Sequence, residues 1–338
     1  MKQAKVVVVG GGVAGMQTAL RLKECGVTPI IIEREAMLGG KVRNWHRLFP
    51  SFTPAEEVVN ELIRRVGAAR IEVRTGQSVA SIEFDCVTLA DGRHVECDAV
   101  ALCSGSTIFD ARIKEEYGYG IYDNVVTSVD VERMLNEGGV RMADGSVPQR
   151  IAILHCVGSR DEKVCQRHCS KVCCVTGVKQ AIELKKACPG VEVFNFYMDM
   201  RMFGPGYEEL YREAQQNYNV HFVRGRISEA SQLMEGRVQI KAEDTLTGRP
   251  LRMSVDMLVL MVGMQANGDN PFMASSAGLQ LSESGFVASR DMFLDNVATH
   301  NPRIFVAGTV TAPKTIGESL AEAVAAADRI VNYLNTLE

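Results

Sequence analysis

The sequence lacks long apolar runs, blocks of like charge and a signal-like N-terminus. No window approaches the roughly 20 apolar residues that a bilayer crossing needs. The net charge of −4 is spread over 37 basic and 41 acidic residues. These features predict no direct membrane insertion and no nucleic-acid partner. The first residues lead directly into a strand-like run, so we expect no cleavable leader and a cytoplasmic location.

The composition is that of a soluble globular chain. Of 338 residues, 46% are hydrophobic and 23% are charged, which is enough to build two domains. Cysteine is unusually frequent, with ten residues in all. Five of them fall in one short stretch: Cys156, Cys165, Cys169, Cys173 and Cys174. In a cytosolic protein such a cluster favours metal-binding or catalytic thiols over structural disulfides.

The first organised segment has the pattern of a dinucleotide-binding turn. A β-branched run at Lys5–Val9 precedes three spaced glycines and a helical pattern, and a second strand then ends in an acid. The glycines permit a tight turn, close approach of a pyrophosphate and close helix–strand packing, while the helix start attracts phosphate and the acid accepts ribose hydroxyls. The residues predicted to bind the nucleotide here are Gly10, Gly12, Val13, Ala14, Gly15 and Glu33.

Three later segments resemble the FAD domain of the glutathione-reductase and thioredoxin-reductase superfamily. A glycine pair follows the acid, an apolar strand ends in Ser-Gly, and a late strand enters a Gly-Thr turn before a long helix. In the superfamily an acid normally stands at the position of Thr309 and holds the ribityl chain. The resemblance implies FAD, with further contacts from Arg34, Gly40, Lys41, Val79, Ser104, Gly105, Gly308, Thr309, Lys314 and Ile316.

A second α/β unit lies between these segments. A strand at 150–155, a helix at 175–187 and a strand at 191–197 form a βαβ pattern. The strand-to-helix turn has no G-x-G-x-x-G, so we do not expect a nicotinamide site there. The sequence therefore predicts an α/β fold with two dinucleotide-binding, Rossmann-like domains, the second inserted in the first. The FAD domain comprises residues 1–110 and 265–338, and the second domain comprises residues 111–264.

The lengthened turn of this second unit is filled with thiols. Its cysteines at positions 156, 169, 173 and 174 form a C-x12-C-x3-C-C pattern, and such short spacings can bring four thiolates onto a [4Fe–4S] cluster. The x3 step would place Cys169 and Cys173 about one helical turn apart. A zinc site or a redox disulfide is the alternative, although zinc more often uses separated C-x2-C pairs. Cys165 is left as a spare thiol, a substitute ligand or an exposed side chain.

Several segments together resemble the A subunit of heterodisulfide reductase. They are residues 109–120, 156–161, 169–174 and 307–314. The resemblance implies FAD, a [4Fe–4S] cluster on Cys156, Cys169, Cys173 and Cys174, and electron exchange with partner subunits. We therefore expect the other subunits of such a complex as partners, and a homodimer within it.

Departures from the methanogen proteins narrow the resemblance. Those proteins are longer and carry ferredoxin-type C-x2-C-x2-C runs, which this sequence lacks. The chain is most similar to the short A subunit of the heterodisulfide-reductase-like complex of sulfur-oxidising bacteria. The A subunit of the quinone-interacting membrane-bound oxidoreductase of sulfate reducers is the nearest alternative.

The resemblance implies a flavin- and iron–sulfur-dependent oxidoreductase subunit that relays electrons between flavin, cluster and partner subunits. Lys314 is the candidate catalytic residue, because a cation at the flavin edge would stabilise an anionic reduced flavin. Two other functions stay open at this point. One is an NAD(P)H-dependent disulfide reductase, and the other is a scaffold in which the cofactors only stabilise an assembly.

Overall fold

The computed structural model describes residues 4–337 and has the predicted α/β organisation. The helices within those residues are α1 (Val13–Glu24), α2 (Ala55–Ala68), α3 (Ser128–Asn136), α4 (Cys173–Ala187), α5 (Tyr207–Gln216), α6 (Asn270–Ala277) and α7 (Ile316–Leu334). The strands are β1 (Lys5–Val9), β2 (Thr28–Ile32), β3 (Arg47–Leu48), β4 (Thr53–Pro54), β5 (Glu72–Arg74), β6 (Val79–Ile82), β7 (Cys86–Leu89), β8 (His94–Glu96), β9 (Ala99–Leu102), β10 (Ser106–Ile108), β11 (Val125–Thr127), β12 (Arg150–Val157), β13 (Glu192–Tyr197), β14 (His221–Arg224), β15 (Ile227–Gln232), β16 (Val238–Asp244), β17 (Arg249–Val255), β18 (Met257–Val262), β19 (Met264–Ala266) and β20 (Ile304–Val306).

The first of two compact units contains the described residues of Met1–Arg43, Glu56–Thr107 and Gln265–Glu338. Its parallel sheet has the strand order β20-β9-β1-β2-β5. The valines of the central strand β1 are buried, as expected for a β-branched run in a sheet covered on both faces. Because these strands run in one direction, the turns that follow them emerge at a single edge, where α/β sheets bind ligands. A separate antiparallel sheet joins β6, β7 and β8.

The second unit contains Asn44–Ala55 and Ile108–Met264. Its parallel sheet has the order β11-β18-β12-β13-β14, and a smaller antiparallel sheet joins β15, β16 and β17. Helix α4 covers the parallel sheet through buried residues such as Val178 and Ile182. The segment Asn44–Ala55 falls in the first domain of the sequence-based division. It groups with the second unit because Phe49 and Phe52 pack against that unit's core.

Two elements of the second unit are longer than the sequence pattern predicts. Strand β12 continues to Val157, and α4 begins at Cys173, so the thiol-rich turn is bounded by regular structure on both sides. Among residues 4–337, no helix is both long enough and apolar enough to pass through a membrane.

Candidate functional site

The turn after β1 is closed by contacts that only glycine permits. A Cβ atom at Gly15 would lie 1.9 Å from the Gly10 carbonyl oxygen, and one at Gly10 would lie 2.4 Å from the Cys103 carbonyl oxygen. Gly10 also has a φ of +105°, which side chains disfavour. Gly12 differs, because the nearest atom to a Cβ there is the Gly40 Cα at 4.0 Å. A ligand can therefore approach the Gly12 backbone closely.

The start of α1 belongs to the same turn. Gly12 is its N-cap residue and has no side chain with which to cap the helix. The N–H groups of Val13 and Ala14 come at the end of the helix that carries the positive pole of its dipole, where backbone donors have no partner within the helix. This end of α1 therefore has the chemistry of a phosphate site.

Glu33 follows β2 and is 6% exposed. Its Oε2 accepts a hydrogen bond from the Gly11 N–H at 2.6 Å, and its Oε1 accepts one from the Glu35 N–H at 2.8 Å. The Gln77 N–H donates to the Glu33 carbonyl oxygen at 3.0 Å, just before β6 begins at Val79. These bonds hold the carboxylate beside the glycine turn.

The second pair of glycines folds back onto the first turn. The Gly39 N–H donates to the Gly11 carbonyl oxygen at 2.9 Å. A Cβ atom at Gly40 would lie 3.1 Å from the Gly12 Cα, so the two backbones are almost in contact. The segment predicted to cover a pyrophosphate thus lies against the segment predicted to bind it.

The two cations of this loop have different surroundings. The Lys41 Nζ donates to the Ser106 carbonyl oxygen, and burial, assisted by the charge of Arg34, lowers the pKa of Lys41. Arg34 itself forms an ion pair with Asp269 at 2.9 Å, with both side chains largely in solvent. Lys41 is therefore partly buried and bonded to the backbone, whereas Arg34 lies largely in solvent.

The turns after β9 and β20 lie next to each other because these strands are paired. A Cβ atom at Gly105 would lie 3.6 Å from the Thr309 Oγ1, and one at Gly308 would lie 2.8 Å from the Ala14 Cβ. Ser104 precedes Gly105 in the same turn. The structure therefore brings the predicted nucleotide-binding segments of the first unit to one edge of its sheet.

A carboxylate that the sequence reasoning missed lies at this edge. Oε2 of Glu322, on α7, accepts a hydrogen bond from the Gly308 N–H at 3.1 Å and pairs with the Lys314 Nζ at 3.2 Å. Lys314 also donates to the Gly308 carbonyl oxygen at 3.1 Å and to Thr311. Burial raises the pKa of Glu322. Lys314 is thus bound to the turn, and Ile316 begins the helix that carries Glu322.

In the second unit, the corresponding strand ends in a β-bulge. The pairing of β12 with β18 shifts register between Leu154 and Val157, and Cys156 within the bulge has a φ of +61°. Three more non-glycine residues of this turn have positive φ: Arg160, Cys165 and Lys171. Such backbone costs free energy and persists only where the surroundings enforce it.

The four predicted ligands form one electrostatic group. Burial raises the pKa of Cys156 to about 11, with further contributions from Cys174 and Cys169. Burial also raises the pKa of Cys173, and Cys156, Cys174 and Cys169 raise it further. Cys165 is exposed and lies outside this group. The charges of these four thiols therefore influence one another.

The predicted helical relation between Cys169 and Cys173 is wrong. Helix α4 begins at Cys173, and Cys169 lies in irregular chain before it. The left-handed backbone of Lys171, with a φ of +62°, interrupts the helix between them. Cys169 is oriented instead by the Lys171 N–H, which donates to its Sγ at 3.3 Å.

One arginine accompanies the thiols. The Arg160 Nη2 forms an ion pair with Asp199 Oδ2 at 2.8 Å, and its charge lowers the pKa of Cys156 against the larger effect of burial. The Cys174 Sγ donates to the Asp199 carbonyl oxygen at 3.6 Å. Arg160 therefore brings a positive charge to a group that becomes anionic when it binds a metal.

The rest of the turn is fixed by a buried ion pair. Asp161 is 3% exposed and accepts hydrogen bonds from the Lys114 Nζ at 2.8 Å and the Arg226 Nη2 at 2.7 Å. A Cβ atom at Gly158 would lie 2.0 Å from the ring of Phe109. Two of the family-like segments, 109–120 and 156–161, therefore pack against each other.

A second buried charge cluster holds α4 in place. The Lys179 Nζ lies 2.6 Å from Glu132 Oε1 of α3 and 2.9 Å from Glu183 Oε2, and all three side chains are almost fully buried. It also donates to the Arg47 carbonyl oxygen at 2.9 Å, and the His46 Nδ1 lies 2.9 Å from Glu183 Oε1. The helix that begins with Cys173 is thus tied to α3 and to the segment Asn44–Ala55.

The whole pattern matches a known family. The model of the pyridine nucleotide-disulphide oxidoreductase family matches residues 4–328. The chain belongs to this family of flavin-dependent oxidoreductases. The predicted fold class is confirmed.

Curated relatives agree with this assignment. The iron-sulfur A subunit of the CoB–CoM heterodisulfide reductase of Methanocaldococcus jannaschii is 30% identical, covering 96% of this chain and 63% of that protein. The A subunit of the H2/formate:CoB–CoM heterodisulfide,ferredoxin reductase of Methanococcus maripaludis is 39% identical over 70% of this chain and 37% of that protein. These relatives confirm the predicted resemblance to the A subunits of heterodisulfide reductases, although the chain spans less than two thirds of their length.

The similar solved structures include two thioredoxin reductases. That of T. acidophilum has a TM-score of 0.70 at 18% identity, with both chains fully covered. That of Lactococcus lactis has a TM-score of 0.69 at 17% identity, covering 99% of this chain and all of that one. At these identities the likeness concerns the fold.

The first unit of this pyridine nucleotide-disulphide oxidoreductase fits a flavin dinucleotide. Its glycine turn exposes backbone at Gly12 and a helix start to phosphates, and the buried carboxylate of Glu33 is held where ribose hydroxyls can reach it. In the second unit, the strand-to-helix turn is filled by thiols and by the side chains that support them. The two units thus present different ligand chemistry at equivalent points of their topology.

The thiol group of the second unit fits a multinuclear cluster better than a single ion. Among the described residues, one group of three or more metal-ligand atoms lies within 4.8 Å of one another, and it belongs to the first unit. The four thiols are therefore spread more widely than the ligands of one tetrahedral zinc ion. A four-iron core accommodates wider ligand spacing because each thiolate binds a different iron.

Proposed function

We propose that the chain is the FAD- and [4Fe–4S]-dependent electron-transfer subunit of a heterodisulfide-reductase-like complex in cytoplasmic sulfur oxidation. The gathering of four thiols at the strand-to-helix turn of the second unit carries this proposal. The family membership and the iron–sulfur names of the methanogen relatives support it.

In this proposal the first unit holds FAD. The N–H groups at the start of α1 and the turn from Gly10 to Gly15 bind its pyrophosphate, and Glu33 binds its adenosine ribose. Lys41 and Lys314 supply positive charge to the same sheet edge. The remaining predicted contacts are Arg34, Gly40, Val79, Ser104, Gly105, Gly308, Thr309 and Ile316.

Glu322 modifies the proposed role of Lys314. Because Lys314 pairs with Glu322 and donates to Gly308, it fixes the final turn and shares its charge with a carboxylate. We propose that it tunes the flavin site as part of this pair.

In the second unit, Cys156, Cys169, Cys173 and Cys174 would hold the cluster. A flavin exchanges electrons in pairs or singly and a cluster exchanges them singly, so together they join two-electron to one-electron chemistry. The protein contributes the burial of the thiols, the positive charge of Arg160 and the rigid support of Asp161. Burial and the hydrogen bonds around the ligands control the potential of such a site.

The partners and the metabolic setting are also proposals. The methanogen relatives are named as subunits, which supports a role for this chain beside other subunits, and we propose a homodimer within the complex. The sulfur-oxidising setting follows from the resemblance of the sequence. A quinone-interacting oxidoreductase of sulfate reduction is the competing setting.

Anaerobic purification followed by iron, sulfide and flavin quantification tests the cofactors. We expect one flavin and about four irons per chain, with an electron paramagnetic resonance signal after reduction. The variant C173S should lose most of the iron and the signal while keeping the flavin. The matched control is C165S, which removes the exposed thiol of the same turn and should change neither quantity.

Three results would overturn the proposal. Flavin-containing protein prepared without oxygen but also without iron would remove the cluster. Rapid bleaching of the flavin by NADH or NADPH would favour an NAD(P)H-dependent disulfide reductase. Unchanged electron transfer in a C173S complex of lowered stability would favour a scaffold.

A further inference from the structure

A mixed group of metal-ligand side chains lies in the antiparallel sheet of β6, β7 and β8 of the first unit. Glu83 and Cys86 occupy the two ends of the tight turn between β6 and β7, where the Glu83 N–H donates to the Cys86 carbonyl oxygen at 2.9 Å. His94 begins β8 and pairs with Thr88 of β7. The turn and the strand pairing thus bring a carboxylate, a thiol and an imidazole together.

The spacing of the three groups suits one tetrahedral ion. The Cys86 Sγ lies 3.5 Å from Glu83 Oε2 and 3.9 Å from His94 Nδ1, and all three residues offer ligand atoms within 4.8 Å of one another. Zinc bond lengths and a tetrahedral angle require ligand atoms about 3.5 Å apart. The three groups therefore already approximate one face of a zinc coordination shell.

The carboxylate is oriented by neighbours that leave one of its oxygens for a metal. The hydroxyls of Ser81 and Thr88 each donate to Glu83 Oε1 at 2.9 Å. This leaves Oε2 on the side of Cys86. The Thr88 hydroxyl has one proton and gives it to Glu83, so in the absence of metal it accepts a hydrogen bond from the His94 Nδ1–H at 2.9 Å. The hydrogen bonds to Glu83 are the usual outer support of a metal-binding carboxylate.

Charge and access agree with this geometry. Glu83 and His94 are exposed, which gives an ion a route from solvent. One thiolate, one carboxylate and a neutral imidazole balance the two charges of a zinc ion.

We propose that Glu83, Cys86 and His94 bind one zinc ion, with water as the fourth ligand. Binding transfers the Cys86 proton to solvent, moves the His94 proton from Nδ1 to Nε2, and forms bonds from the metal to Sγ, to Glu83 Oε2 and to His94 Nδ1. The ion joins β7 to β8 and to the turn before β7. This site is independent of the proposed flavin and cluster sites.

Zinc titration of the flavin- and cluster-loaded protein under anaerobic conditions tests the site. After treatment with a mild chelator and desalting, zinc sulfate is added against a chromophoric competitor, and zinc and iron are measured in the same sample. We expect one tightly bound zinc per chain with unchanged iron. H94A and C86S should weaken zinc binding by at least about 100-fold, and T88V by about 10-fold.

The control and the contrary outcome use other thiols. C25S removes a half-buried cysteine of the same unit and should bind zinc like the wild type. H94A changes an exposed residue, so its loss of zinc cannot be attributed to failed folding. Equal zinc binding by wild type, C86S and H94A, or its loss only in C173S, would overturn the proposal.

Discussion

The two units differ in the loop that connects a central strand to the helix that follows it. Between β1 and α1 the chain uses three residues, 10–12, whereas between β12 and α4 it uses fifteen, 158–172. The short turn is closed by backbone contacts that exclude a side chain at Gly10 and at Gly15. The long turn is filled by side chains and held by buried ion pairs. One βαβ topology therefore supports two kinds of ligand chemistry.

The comparison teaches which forces each turn depends on. Close backbone packing at Gly10 and Gly15 contributes most to fixing the glycine turn, together with one hydrogen bond from the Gly11 N–H to Glu33. Packing contacts themselves are insensitive to pH and salt. Charges fix the thiol turn through Asp161 with Lys114 and Arg226. Charges also fix α4, which follows the turn, through Lys179 with Glu132. Buried charges are strongly destabilising when one partner is removed. We therefore expect the two units to lose stability under different conditions.

The largest effect should come from breaking the charge cluster of α4. K179M leaves the carboxylates of Glu132 and Glu183 buried without their cation. We expect the free energy of unfolding to fall by about 3–5 kcal/mol, measured by urea denaturation. K23M alters an exposed lysine of α1 and should stay within about 0.5 kcal/mol of wild type. If K179M lowered the free energy of unfolding no more than K23M does, charges would not be what holds the second unit together.

A somewhat smaller effect should come from crowding the glycine turn. G15A places a Cβ 1.9 Å from the Gly10 carbonyl oxygen, and we expect a loss of about 2–3 kcal/mol together with loss of flavin but retention of iron. The control is G67A in α2, where an added Cβ meets no atom within 4 Å. It should raise stability by about 0.5–1 kcal/mol. Flavin retained at wild-type affinity in G15A would contradict the role assigned to this turn.

The smallest effect should come from neutralising Asp161, and it should depend on pH. Burial raises the pKa of Asp161, but its bonds to Lys114 and Arg226 outweigh burial, so the pKa lies below the ordinary value of 3.8. A depressed carboxyl pKa stabilises the fold above the ordinary value and loses that effect as the pH falls through the folded-state pKa. D161N should cost about 2 kcal/mol near neutral pH.

Denaturation at a series of pH values measures this contribution. The difference in unfolding free energy between wild type and D161N should be constant down to about pH 5 and should shrink below pH 3.8. G15A, measured at the same pH values, separates the two turns, because its cost should not change with pH. If the loss of unfolding free energy in D161N did not depend on pH, hydrogen-bond geometry, and not charge, would fix the thiol turn.

Much of the first unit could be predicted from local sequence. The strand at Lys5–Val9 and the turn that follows agree with the structure because β-branched residues and spaced glycines act through nearby atoms. Glu322 could not be found in this way. It meets Gly308 only because α7 packs back against the turn that precedes it. Helical spacing indicates the face of Glu322 on α7 but not its partner.

Less of the second unit could be predicted from local sequence. The spacing of the cysteines predicts four cluster ligands, which stays a prediction, and it also suggested a helical turn from Cys169 to Cys173 that does not exist. The left-handed backbone at Lys171 depends on the surroundings that enforce it. The attachment of Asn44–Ala55 to α4 through Lys179 joins residues more than a hundred positions apart.

The sequence by itself determined the two α/β units, the glycine turn and the family, because each is encoded by residue type at short spacing. The tertiary structure alone decided how Glu322 meets Lys314, how Asp161 and Lys179 are neutralised, and how Glu83, Cys86 and His94 come together. Those arrangements depend on strand pairing and on packing between elements, which residue spacing alone does not specify. For Asp161 and Lys179, the stability of the arrangement arises from burial, which no single segment possesses on its own.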